Sequence, residues 1–228
     1  MSSTVTMGPP KPLLPGHFET KAQHNEVNIL GMWLFLAQEI MFFGGLFCAY
    51  AVYRYKYPDI WGEAATHLNT TIGAGNTVVL LVSSLTMAMS VYYTQVGRLK
   101  PLVVNFVLTL LLGTTFLVVK YFEYREKYIH GLIPNISWDL SHIELTSQLV
   151  SPVENMKLFF VLYFTMTGMH AFHMIIGVGI GSVLLVLILK KKFGPNRFMP
   201  IEMFGFYWHF VDIVWVFLFP MIYLIPKP

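Results

Sequence analysis

Residues 206–220 read "FYWHFVDIVWVFLFP", a run that is apolar and aromatic except for His209 and Asp212. The two lie three residues apart, so in a helix they share one face. A carboxylate near a bilayer centre costs about 2.5–3.5 kcal/mol on insertion scales. A helix of this composition therefore turns that face toward other helices, and the partners must be sought in the rest of the chain.

The composition supports a membrane setting. Of 228 residues, 55% are hydrophobic, 16% aromatic and 12% charged, where a soluble domain carries about 25% charge. The net charge is +3, and the basic residues are scattered through short loops instead of gathered on a face, which excludes a nucleic-acid footprint. The single cysteine, Cys48, excludes an intrachain disulfide or a CxxC motif. Residues 1–27 contain Pro9, Pro10, Pro12 and Pro15 but no continuous apolar core, so they do not read as a secretory signal. They predict a short extended tail.

Five segments match the ~20 helical residues that cross a hydrocarbon core: residues 29–53, 72–93, 102–122, 158–189 and 204–225. The backbone must satisfy its own hydrogen bonds there, and these lengths suit helices and not barrel strands. The fold class is thus all-α, a five-helix transmembrane bundle spanning residues 28–228. Its fourth helix reaches roughly 48 Å at 1.5 Å per residue and must tilt or project. Residues 123–157 form the one large loop, which would cap one face. No internal repeat is visible, which argues against an independent proton or cation transporter built from related halves.

Orientation follows Lys and Arg. An N-terminus inside and C-terminus outside places eight basic residues inside and seven outside, with Lys120 and Lys127 among the outer seven. The dense "KKKFGPNR" loop at 190–197 decides for this orientation, since basic residues close to helix ends weigh most.

The polar residues placed inside the membrane are Glu39, His170, His173, His209 and Asp212. Such residues mark helix packing, lipid contact or proton-linked chemistry. His170 and His173 share a face of their helix, and Gly177 and Gly181 beyond them permit close helix contact. Bis-histidine haem ligation needs imidazoles from facing helices at matching depth. His209 reads as nearer the inner end of its helix, which argues against haem and leaves no metal site on this chain.

The motifs together resemble subunit III of haem-copper respiratory oxidases. "FYWHFVDIVWVFLF" is similar to that family's last-helix signature, and "TGMHAFHMIIG" at 167–177 to its Gly-x-His-x-x-His-x-x-x-Gly helix. "QEIMFFGGLFCAY" at 38–50 resembles the family's Ser-Glu helix with an aromatic run, and "NTVVLLVSSLTM" and Glu123 follow in order. The resemblance implies a five-helix bacterial form in the plasma membrane, part of a proton-pumping terminal oxidase. It implies no catalytic residue or redox cofactor on this chain. Haem and copper belong to the partner subunit I, which it contacts directly, and electrons arrive through subunit II, with further subunits or a supercomplex beyond. Bound phospholipid is implied beside Glu39, with His170, His173, His209 and Asp212 as the other polar positions. For the proton uptake that the family supports, inner-rim basic and histidine residues such as Lys100 and His209 are the expected collecting groups. The mitochondrial form's first two helices are missing, and Gln38 replaces the usual serine. A quinol oxidase or a place beside a nitric oxide reductase fits the same fold.

Overall fold

A computed structural model describes residues 21–134, 154–195 and 197–225. The described residues form six helices: α1 (Lys21–Lys56), α2 (Pro58–Thr66), α3 (Thr70–Val96), α4 (Leu99–Ile129), α5 (Asn155–Leu189) and α6 (Met199–Tyr223). Five are long and apolar enough to cross a membrane, all but α2. The five-helix, all-α expectation holds.

Two boundaries differ from expectation by more than five residues, and one helix is additional. Helix α1 begins at Lys21, so the last residues of the expected extended tail are helical; residues 1–20 lie outside the described residues. Helix α4 runs on to Ile129, where a loop was expected from residue 123. Of that expected loop, residues 135–153 lie outside the described residues. Helix α2 was not anticipated, although Pro58 at its first turn and Asp59 beside it are ordinary signals of a helix start. Its stretch Ile60–Ala65 is buried.

Helices α3 and α4 form a tight hairpin. Gly97 closes α3 in the left-handed region at φ 77°, with its N–H donating to the Thr94 and Tyr93 carbonyls. A Cβ at Gly97 would also stand 3.0 Å from Pro195. The seam between the two helices is lined with small hydroxyl residues. Ser90, Thr94 and Thr109 donate to carbonyls four residues back, while Ser83 reaches the Thr109 carbonyl and Thr86 the Thr109 hydroxyl. In hydrocarbon there is no hydrophobic drive between helices, so small residues that let backbones approach and side chains that bond across the seam hold the pair.

Helix α6 is the hub and α1 the periphery. The most apolar window of α6 is 56% buried and that of α1 only 11%. Helix α1 touches the bundle along one stripe, Leu36, Phe43 and Tyr50, spaced seven apart. Close packing around α6 depends on glycines: a Cβ on Gly113 of α4 would stand 2.7 Å from the Trp208 ring, and one on Gly177 of α5 3.2 Å from it. Gly181 likewise admits Leu110 and Phe204, so the close approach expected at Gly177 and Gly181 is present.

Candidate functional site

The five expected polar residues do not form one network; they separate into three places. Glu39 on α1 meets His173 on α5, with Oε2 3.2 Å from Nε2. His173 Nδ1 lies 2.8 Å from the Met169 carbonyl. A carbonyl only accepts, so Nδ1 carries a hydrogen and Nε2 is the nitrogen turned to Glu39. Aromatic rings of Phe43 and Phe172 flank the imidazole at 5.4 and 6.0 Å, and Tyr207 donates to the His173 carbonyl from α6.

This pair opens on a groove of about 590 Å³ between α1, α5 and α6, within the usual ~300–1,000 Å³ of ligand sites. Met32, Phe35, Ile176, Ile180 and Met203 supply apolar walls around Glu39 and His173.

His170 takes another course. Although three residues from His173, it points into the bundle, fully buried, with the rings of Phe116 and Trp215 at 5.3 and 5.1 Å. Neither ring nitrogen has a hydrogen-bond partner. The single seam expected for the two histidines is thus corrected: one faces the groove, the other the core. Among the described residues, no three His, Cys, Asp or Glu side chains gather.

His209 and Asp212 form the third place, on the side of α6 that faces α3. Ser84 of α3 lies beside both. Its close contact is with His209, at 2.7 Å from Nδ1, and neither Asp212 oxygen has a partner at hydrogen-bonding geometry. Asp212 is buried and His209 half-buried. Lys100 and His209, the two residues expected to collect protons at the inner rim, lie apart in the structure. Lys100 is exposed at the first turn of α4, whereas His209 sits ten residues into α6, roughly 15 Å along its axis.

A fourth polar cluster was missed. Lys120 and Glu123 of α4 are 3% and 6% exposed and paired at 2.9 Å. Lys120 also donates to the Tyr223 hydroxyl at 2.7 Å, and its ammonium lies 4.6 Å from the centre of the Trp215 ring. Tyr163 donates to Glu123 Oε1 at 2.7 Å, and Tyr223 donates to the same oxygen. The signal for this cluster was an oppositely charged i, i+3 pair inside an apolar helix. Lys127, a further turn along and also buried, donates to the carbonyl of His67, the residue that caps α2. A cation there complements the negative end of a helix. Burial, reinforced by the Lys127 charge, holds the His67 imidazole below its usual range.

The family model for cytochrome c oxidase subunit III matches residues 153–226, which include the groove wall of α5 and α6. A cytochrome c oxidase subunit 3 of Corynebacterium diphtheriae is 34% identical over 88% of this chain and 89% of its own length. A protein of Staphylococcus haemolyticus named "Probable quinol oxidase subunit 3" is 28% identical over 91% of this chain and 93% of its own. A "Heme-copper oxidase subunit I+III" of Aeropyrum pernix is 30% identical over 93% of this chain, which spans 24% of that longer protein. With near-complete coverage by relatives at this identity, and five apolar helices carrying the expected motifs in order, the chain belongs to the subunit III family of haem-copper oxidases.

Proposed function

We propose that the chain is the non-redox subunit of a proton-pumping cytochrome c oxidase in a bacterial plasma membrane, packed directly against subunit I, and that its groove holds a phospholipid. The groove carries the reading. Its walls are apolar apart from the Glu39–His173 pair, a combination that suits acyl chains along α5 with a polar group of the lipid beside the pair. Oxygen reduction then rests with the haems and copper of subunit I, electrons enter through subunit II, and this chain keeps subunit I supplied with lipid and stable during proton uptake. Lys100, exposed at the start of α4, offers a cation at the inner rim for proton collection; an unchanged uptake rate in Lys100→Ala would remove that role.

Burial of Lys120 and Lys127 supports an inner N-terminus, because taking those two from the outer tally leaves five basic residues there against eight inside. As to the donor, the name of the Corynebacterium relative favours cytochrome c and that of the Staphylococcus relative favours quinol. Turnover of the purified complex with each reductant decides between them.

Glu39→Gln tests the groove in the intact oxidase. The complex should assemble, bind less phospholipid by native mass spectrometry, and inactivate sooner during turnover. Normal lipid content with a normal active lifetime overturns the reading. Failed assembly assigns the pair to folding instead.

A further inference from the structure

We propose that Tyr163, Glu123 and Tyr223 form a proton-coupled hole trap, in which Tyr163 is the tyrosine that is oxidised and Glu123 takes its proton. The cluster lies in a part of the bundle that the lipid groove does not use.

The acceptors of the buried phenols set this cluster apart. Tyr50 and Tyr207 donate to backbone carbonyls, and Tyr124 shares its hydrogen bond with the Thr167 hydroxyl. Neither a carbonyl nor a hydroxyl is a base that can keep a phenolic proton. Tyr163 and Tyr223 instead donate to one carboxylate oxygen, Glu123 Oε1. One-electron oxidation of a phenol makes it strongly acidic, so a carboxylate already hydrogen-bonded to it accepts the proton with no reorganisation of the surroundings.

The two phenols are not equivalent. The Tyr223 oxygen also accepts a hydrogen bond from the Lys120 ammonium at 2.7 Å, and a cation at that distance makes removal of an electron harder. The Tyr163 oxygen has no such contact. It lies 3.4 Å from the Tyr223 hydroxyl, which is placed to turn its hydrogen toward a Tyr163 radical oxygen once Glu123 is protonated. Electron loss leaves the Tyr163 radical and the protonated Glu123 both neutral, so the cluster gains one positive charge, which rests on Lys120 beside Glu123 Oε2 and among its aromatic rings.

The step balances. Tyr163 loses one electron to a high-potential one-electron oxidant, such as a peroxyl radical of a membrane lipid. The Tyr163 O–H bond breaks, its proton forms a new O–H bond on Glu123 Oε1, and the oxidant is reduced by one electron. An oxidisable neighbour gives the electron a way out: the ring of Tyr124, partly exposed on α4, lies 6.3 Å from that of Tyr163. Tyr163 is fully buried, which shields the radical from water and from coupling with a second one.

The test uses the intact oxidase complex, flashed with a ruthenium photosensitiser and a sacrificial quencher, then frozen for electron paramagnetic resonance. A tyrosyl signal is expected, and ring-deuterated tyrosine should narrow it. Tyr163→Phe, which removes only the hydroxyl, should lose at least about tenfold of that signal by difference from the wild type, while Tyr223→Phe keeps it. Glu123→Gln retains an acceptor but not a base, and should slow radical formation on the order of a hundredfold, the usual scale for a positioned proton acceptor. An unchanged signal in Tyr163→Phe, its loss in Tyr223→Phe alone, or a formation rate indifferent to both Glu123→Gln and heavy water overturns the assignment.

Discussion

Lys120→Met isolates the buried ion pair of α4. Side-chain exposures of 4% and 5% leave little solvent screening, so the substitution strands the Glu123 carboxylate in the bundle. Removing one partner of such a pair costs about 3–5 kcal/mol, roughly a hundredfold or more in the folding equilibrium at about 1.4 kcal/mol per factor of ten. Glu123→Gln should cost less. It leaves the ammonium facing four aromatic rings at 4.6–5.9 Å, contacts worth about 2 kcal/mol when desolvated, and the amide oxygen still accepts from both phenols. The double variant Lys120→Met with Glu123→Gln removes both charges and keeps that acceptor, so its loss should return to about 1 kcal/mol, the net value of an ordinary hydrogen bond. Denaturing-detergent titration of the purified chain, followed by tryptophan fluorescence with Trp215 against the cluster, measures all three. Simple addition of the two single losses in the double variant would refute the coupling.

Other expectations concern packing and pH. Gly113→Ala places a methyl 2.7 Å from the rigid Trp208 ring and should cost about 1–3 kcal/mol by overpacking, whereas Gly179→Ala meets nothing within 4 Å and should gain up to about 1 kcal/mol from helix propensity; the same titration separates them. His67 is held below its ordinary value of 6.5, so the folded chain binds fewer protons than the unfolded one just below that pH, and stability is full above 6.5 and declines as pH falls beneath it. Hydrogen-exchange protection in α2, taken relative to the intrinsic base-catalysed rate at each pH, should therefore fall from pH 7.5 to 5.5, and His67→Gln should abolish that fall. Trp215→Phe removes the indole donor to the Thr77 hydroxyl, a 3.0 Å bond between α6 and α3, together with the strongest ring contact of Lys120; a loss of about 1–2 kcal/mol is expected.

Hydrophobic length made the five spans legible, because hydrocarbon thickness fixes how many apolar residues a crossing needs. It could not reveal α2, whose nine residues fall below any spanning length and whose buried stretch Ile60–Ala65 owes its place to tertiary packing. The polar residues were legible as intramembrane, but their grouping was not. A spacing of three told that His170 and His173 share a broad face of α5; it took the positions of α1 and α6 to send His173 to Glu39 and His170 to Trp215.

The charges near the end of α4 bring the topology count close to a tie for a physical reason. Counting Lys and Arg for topology treats each as a solvated group at a helix end, yet Lys120 and Lys127 lie along α4 at a seven-residue interval, on one inward face with Glu123 between them. The helix continues a turn and more past the point where hydropathy alone would stop it, because Lys120 finds Glu123 and Tyr223, and Lys127 finds the His67 carbonyl. A charge that is paired inside the protein can no longer report which side of the membrane it faces. The same residues that weaken the orientation count therefore lengthen the helix, and they also tie α4 to α6 and α2. Removing Lys127 should accordingly free α2 before it loosens the bundle, and faster exchange in α2 with unchanged exchange in α4 would distinguish that order from general unfolding.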